Sequence, residues 1–447
     1  MIFNAKPPSG AQLSHSGTYN LMICNRPLTP QELKSSQKNY LLYNGVNGAS
    51  YMCLGETVLI LFAVKLHSPD YVIAILGGMI FFGFLLLPLG KAMTARVGAA
   101  QTQADCWVLR NIAALAVAAA APVSLFVSET LATIMIVLGA FLFYGFRAAG
   151  VVLSQPLVGE ICEKNSIGGF VSKAWICFYS SGLTALVLIS LCLKINQSVW
   201  MLFAIIIAGT MLGIYSAAFC RRIYETGEIR ENAKRPLLKE IPPLLKNKVL
   251  VRQIIAGMIC NMSVVFLVPI SMLTLKRGYG VNDSTALLYS LVQFAASIGT
   301  SMLLSKFADR FGGRKMAIAG FYANFIIVLL WLLLPTHFHP ALLILPFIFC
   351  PCCAVAAGTS LPQYFIQTIK PRDQVVASML LAVGTGVCAG LPGMILSSLF
   401  LKLAAKLNDT GIPLMTYKYY FLFILLLLPF MSIGVHWLYK EEKLPEA

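Results

Sequence analysis

Twelve apolar runs, each long enough to cross a bilayer, constrain this chain more than any other feature. A membrane helix needs roughly 20 mainly apolar residues. The runs lie at about 40–64, 71–90, 106–127, 131–153, 171–193 and 198–219, then at 253–275, 285–304, 316–334, 341–362, 375–401 and 417–438. A polar connector, 220–252, with nine Lys or Arg and four Glu, divides them into two sets of six. The expected fold class is an all-α polytopic membrane protein, with twelve transmembrane helices in two pseudo-symmetric six-helix bundles. The expected organisation is a cytoplasmic tail 1–38, an N-terminal bundle 39–220, a cytoplasmic linker 221–252, a C-terminal bundle 253–438 and a cytoplasmic tail 439–447.

Composition agrees: 58% of the 447 residues are hydrophobic and 12% charged, where a soluble domain is about one quarter charged. A net charge of +16 would suit a nucleic-acid binder. Its placement points elsewhere. With both termini cytoplasmic, inner segments hold 25 of the 34 basic residues, outer loops hold seven, and Arg110 and Arg147 lie within spans. The excess is then an orientation signal. No nucleic-acid partner is expected, and the location is an integral plasma membrane, the cell inner membrane in a bacterium.

The first 38 residues are polar, carry Pro7, Pro8, Pro27 and Pro30, and show no secretory signal. Thr29-Pro30-Gln31-Glu32 reads as a helix start, a capping box leading into the first span. Trp107, Trp175, Trp200, Trp331 and Trp437 fall near the predicted span ends, where interfacial indoles belong. A weak repeat matches Ser154, Pro156, Lys164 and Ser172 to Ser360, Pro362, Lys370 and Ser378 at constant offset. Two related bundles place a site near the midplane between them.

Between the eighth and ninth runs stands LSKFADRFGGRKMAIAG, residues 304–320. Ser305-Lys306-Phe307-Ala308-Asp309-Arg310-Phe311-Gly312-Gly313-Arg314-Lys315 resembles the loop motif G-x-L-A-D-R-x-G-R-R/K of the major facilitator superfamily. Twelve spans, inner termini and a long basic middle loop resemble that family too. The resemblance implies a gating loop of Asp309, Arg310, Gly312 and Arg314, with Asp309 and Arg310 latching the two bundles in an outward-open state. A solvated basic turn that only fixes topology is the alternative. Asp309 suits the positive end of a neighbouring helix. Two departures stand out. Ser305 replaces the leading glycine, and the first-half counterpart, Gly90-Lys91-Ala92-Met93-Thr94-Ala95-Arg96-Val97-Gly98, has no aspartate. The first-half latch is therefore weak or made differently. Phe146-Arg147-Ala148-Ala149-Gly150 with Pro156 loosely resembles a fourth-span pattern of the same family.

Polar residues inside the spans locate the candidate site. Tyr40, Asn44, Asn47 and Tyr51, spaced 4, 3 and 4, share one helix face and suit a wet cavity. Helix–helix hydrogen bonding is the competing role. Tyr144, Arg147 and Ser154 share a face of the fourth span, Trp175 and Tyr179 one of the fifth, and Tyr289, Gln293, Ser297 and Thr300 one of the eighth. The expected substrate-binding set is Tyr40, Asn44, Asn47, Tyr51, Tyr144, Arg147, Tyr179, Tyr289 and Gln293. Arg147 is the candidate for an anionic group of substrate, with snorkelling to headgroups as the alternative. Glu56 is the one acid well inside a predicted span. In a straight helix it lies about 150° from the stripe and roughly 14 Å in depth from Arg147. It is the candidate for proton coupling, and Gly45, Gly48 and Gly55 would permit the bend that brings it to the cavity.

No P-loop, no paired-histidine helix and no nucleophile with a base is visible; His337 and His339 fall in an outer loop. Cys350-Pro351-Cys352-Cys353 is the one cysteine cluster, with no His or acid in its run. No catalytic residue, metal or cofactor is expected. The reading is a secondary active transporter, not an enzyme. It would move a small polar organic solute by alternating access, with a proton as the expected co-substrate, membrane lipid as surroundings and a monomer as its state. The alternatives are a multidrug-type exporter and a non-transporting sensor or lipid-organising protein on the same frame.

Overall fold

The computed structural model describes residues 22–24, 26–68, 72, 76, 79–163, 166–196, 198–281, 283–409 and 411–439; the side chains at 56, 57, 283, 284, 286 and 287 lie outside the described set. Among the described residues, twelve helices are long and apolar enough to cross a membrane. In chain order they are α1 Pro30–Lys65, α2 Met79–Val97, α3 Ala99–Phe126, α4 Glu129–Ile161, α5 Ile167–Ile195 and α6 Val199–Cys220. The second set is α7 Lys248–Gly278, α8 Leu288–Phe311, α9 Gly313–Leu333, α10 Pro340–Thr368, α11 Pro371–Leu407 and α12 Pro413–His436. The chain is an integral membrane protein of two six-helix bundles, α1–α6 and α7–α12.

Each expected run falls on one of these spans within the described residues; of the second run, 71, 73–75, 77 and 78 lie outside them. Several extend further toward the connector than hydropathy indicates: α1 begins at Pro30 rather than 40, and α3 at Ala99 rather than 106. These end turns are polar, and their unpaired backbone groups are met by caps rather than by apolar burial. Thr29 and Glu32 form the reciprocal capping box, and Arg26 closes on Glu32 at 2.8 Å. Because α3 starts early, Trp107 lies within it and is buried; Trp331 is buried as well, donating to Ser271 at 2.9 Å. Trp200 and Trp437 are the exposed indoles near span ends. Thus the interfacial expectation holds for two of the five tryptophans, while Trp175 faces the other bundle.

The spans are not straight. Extended backbone at Gly55 (φ −66°, ψ 169°) divides α1 into Pro30–Leu54 and Glu56–Lys65. In α11 a wide turn runs over Gly384–Cys388, with Gly384 against Ile254 and Gly386 against Phe84, so these glycines permit close helix approach. The cysteine cluster serves packing: Asn324 reaches Ser263 at 3.0 Å and Cys353 at 3.2 Å, and Thr300 lies 3.4 Å from Cys352.

The buried apolar residues show how the halves meet. At the connector end one core joins both bundles, with Tyr40, Val158, Ile161 and Phe170 beside Leu361, Tyr364, Ile366 and Val375. At the opposite end there are two separate cores, one drawn from 53–206 and the other from 260–435. The bundles are therefore fused near the connector and distinct away from it.

Candidate functional site

The first half of α1 supplies one wall of a central cavity. Its stripe survives as a single face: Tyr40, Asn44, Asn47 and Tyr51 all line the cavity. Gly48 lets the backbone of α5 at Phe178 approach closely, which sets the stripe beside the α5 aromatics. Asn44 donates to the Tyr40 carbonyl at 2.9 Å, so part of its hydrogen-bonding capacity is used within the helix.

Two arginines meet this stripe from neighbouring helices. Arg110 of α3 is fully buried and donates from Nη2 to Asn47 Oδ1 at 3.1 Å. Its guanidinium sits over the Trp107 and Phe143 rings at 4.6 and 5.3 Å. Arg147 of α4 lies over the Tyr51 ring at 4.9 Å. Below them Gln103 donates to Ser154 Oγ at 2.8 Å. The α5 wall is aromatic: Trp175 stacks on Tyr179 with centroids 5.4 Å apart, and Tyr179 meets Phe294 of α8 edge-on at 6.2 Å. Trp175 Nε1 donates to Gly358 O of α10 at 3.1 Å, tying the bundles together beside the cavity. The cavity holds about 430 Å³, and Phe294, Gly358, Pro362 and Ile366 are the second bundle's contribution. Among the described residues no carboxylate lines it.

Tyr144, Tyr289 and Gln293 stand elsewhere. Tyr144 is buried in the first bundle's own core, edge-on to Phe143 at 5.2 Å and packed at Gly83 of α2. Tyr289 is buried and donates to Pro340 O at 3.0 Å, which fixes α8 to the start of α10. The Gln293 carbonyl accepts from Ser297 at 2.9 Å, and that stripe faces α10 rather than the cavity. Tyr144 shares helical spacing with the cavity residue Arg147, and Tyr289 and Gln293 share one polar face of α8, but periodicity alone does not say which neighbour a face meets. The side chain of Glu56 lies outside the described residues; its backbone opens the second half of α1, beyond the break at Gly55.

Sequence reasoning put Arg110 near a span end and left it out of the site. The polar stretch Gln101–Asp105 hid the first turns of α3. Its burial and its bond to Asn47 make it a central residue. The sequence marks Trp175 as an indole near a span end and as a stripe-mate of Tyr179, and nothing in it pairs Trp175 with Gly358.

On the connector face, Asp309 caps the start of α5. Its two carboxylate oxygens accept from Gly168 N at 2.7 Å and Gly169 N at 2.8 Å. Gln363 of α10 adds bonds to Ala308 O at 3.3 Å and to Asp309 at 3.4 Å. Gly312 turns the chain with φ 78°, a left-handed value that favours glycine. Arg314 holds the end of α12, donating to Leu438 O at 2.7 Å and His436 O at 3.2 Å. Arg310 is exposed, lies over Phe311 at 5.7 Å and has no carboxylate partner among the described residues. The bundle-to-bundle contact is thus made by Asp309 with the Gly168 and Gly169 amides, supported within its own bundle by Gln363, and not by Arg310.

The first-half counterpart is built from other residues. Aligning Gly98 (φ 89°) with Gly312 sets Ala95 opposite Asp309. Here the connector intervenes. Lys91, buried, pairs with Glu240 at 3.0 Å and donates to Arg235 O. Glu225, also buried, accepts from Ala99 N at 2.8 Å and so caps α3. Its carboxyl is pushed up to about 8, chiefly by burial and then by the nearby Glu160.

Comparison with known proteins adds the following. The family model of the Major Facilitator Superfamily matches residues 40–391. No curated protein matches the chain. Among solved structures, a bacterial homologue of the iron transporter ferroportin in an outward-facing state is similar with a TM-score of 0.68 at 13% identity, covering 89% of this chain and 98% of that one. The proton:xylose symporter XylE bound to 6-bromo-6-deoxy-D-glucose gives 0.64 at 14%, with 90% and 96% covered. The E. coli fucose:proton symporter FucP gives 0.64 at 11%, with 92% and 99% covered. At such identities the likeness is one of fold.

Proposed function

The chain belongs to the major facilitator superfamily, and from that premise we propose that it is a secondary transporter moving a small polar organic solute by alternating access. The observation that carries this reading is the cavity of about 430 Å³ between the two bundles, walled by α1, α3, α4 and α5 on one side and α8 and α10 on the other. Its phenols and amides hydrogen-bond a solute without demanding a metal. Tyr40, Asn44, Asn47, Tyr51, Arg147 and Tyr179 act in binding. Asp309 and Gly312 act in gating, with Arg314 anchoring the same turn to α12. The joined core and the Asp309 contact at the connector end support a state closed on that face.

The remaining assignments rest on charge placement and analogy. The connector and both termini are assigned to the cytoplasm by the Lys and Arg distribution, and the bundles are taken as 39–220 and 253–438. Glu56 is proposed as the proton-coupling acid because it is the one acid near the middle of α1. Its test is uptake by a Glu56→Gln variant: accumulation that remains full and pH-driven removes Glu56 from coupling. The aromatic wall of Trp175, Phe178 and Tyr179 favours a second reading, export of flat apolar drugs. Reconstitution in liposomes separates the cases. Solute movement supports transport, whereas ligand binding without flux supports a sensor.

A further inference from the structure

We infer that the solute is an organic carboxylate with a flat or apolar body, held by Arg110 and Arg147 together; this deepens the transport reading and rests on it for the claim that the bound molecule moves. Arg110 is fully buried, bonds to Asn47 through one nitrogen, and leaves Nε without a partner among the described residues. Arg147 has no carboxylate partner among them either. Both line the cavity, and so does no described acid. The acids on neighbouring helices are engaged elsewhere: Asp105 with Arg221 at 2.9 Å, and Glu160 with Thr226 at 2.8 Å.

Two positive charges in a partly dry site are unfavourable unless something answers them. Ring faces answer in part. Trp107, Phe143 and Tyr51 place their electron-rich faces under the guanidiniums, which orients the cations without neutralising them. Their partners on α1, Asn47 and Tyr51, stand one helical turn apart, about 6 Å along the axis. Two planar donor forks that reach the same stretch of α1 and line one cavity suit the oxygens of one carboxylate or of a dicarboxylate, because guanidinium geometry matches a carboxylate pairwise. The cavity far exceeds an inorganic anion in size, and its remaining wall, Trp175, Tyr179 and Phe294, offers ring faces for an organic body. A neutral sugar would use the amides and leave both charges unanswered.

The test uses purified full-length protein and three matched pairs: benzoate with benzamide, phenylacetate with phenylacetamide, and indole-3-acetate with indole-3-acetamide. Binding is read by thermal shift and flux by uptake into proteoliposomes, with sulfate and a hexose as controls. At least one acid should bind ~10-fold or more tighter than its own amide, and sulfate should not substitute for it. Arg147→Gln should abolish that preference, while Arg147→Lys, which keeps the charge but loses the planar fork, should retain part of it. Binding of every amide as well as its acid, or an acid preference untouched in Arg147→Gln, overturns the carboxylate assignment. Measurable hexose uptake by the wild type that persists at the same rate in Arg147→Gln overturns it too, and leaves transport standing. An acid that binds through Arg147 yet is never moved keeps the anion site and removes the transport reading.

Discussion

The carboxylate of Asp309 and the backbone of Gly168 are joined at 2.7 Å across the two bundles. Asp309 ends α8 and Gly168 begins α5, so a negative charge sits at the positive end of a helix from the other half. Charge-assisted bonds of this kind contribute about 1.5–3 kcal/mol. The latch therefore favours the connector face closed.

Asp309→Asn keeps the side-chain shape and removes the charge. We expect a loss of about 1–2 kcal/mol for the closed face, roughly a tenfold shift toward opening. Spin labels at Lys173 and Lys306, both exposed, would report it as a second, longer distance population. A distribution unchanged from wild type contradicts the latch role.

The two hairpin glycines give a graded prediction. Gly312→Ala forces a left-handed backbone on alanine, costing about 1–2 kcal/mol, and lowers thermal stability accordingly. Gly98→Ala adds contact with the Glu225 carboxylate, which packs directly on that glycine. Its melting temperature should fall further than that of Gly312→Ala.

Much of the fold was legible because hydrophobic runs and basic loops are local signals. The capping box at Thr29 and Glu32 could be read directly, and the aspartate of the gating loop was visible as a motif. The site was read in part. The α1 stripe lines the cavity because its four residues keep one face, and that face meets the cavity. Tyr144 and Tyr289 have the same chemistry and spacing but face other helices, and facing is a tertiary fact. The pairing of Lys91 is not legible: its partner Glu240 lies in the connector, where no periodicity links the two.

That pair carries its own prediction. Lys91 is buried and Glu240 mostly so, and removing one partner leaves a charge with poor solvation. In a double-mutant cycle of Lys91→Ala and Glu240→Ala, the coupling should be about 1–3 kcal/mol, below a fully buried pair because Glu240 keeps some exposure. Additive effects would mean that the connector is not docked through this pair.

Glu225 predicts a pH dependence. Its folded carboxyl titrates near 8, above the usual 4.5, because burial and Glu160 outweigh the Ala99 and Ala100 amides and Arg230. The folded chain thus holds this proton more tightly than the unfolded chain. Stability from this group is full below about 4.5, declines as pH rises toward about 8, and levels off above it. Amide exchange at the start of α3 should quicken over that window. In Glu225→Gln the same amides should show no such transition beyond the intrinsic exchange trend.

The central claim is that one pocket between the bundles is open to water from each side of the membrane in turn. Asn44, half-buried on the cavity face of α1, is the place to test it. A cysteine at that position, in a background with the partly exposed native cysteines replaced by serine, is challenged with a membrane-impermeant thiol reagent in vesicles of known orientation. The account predicts labelling from both sides, with Asp309→Asn raising reactivity from the connector side and lowering it from the other. Labelling from a single side in wild type and variant alike, or from neither, would contradict it.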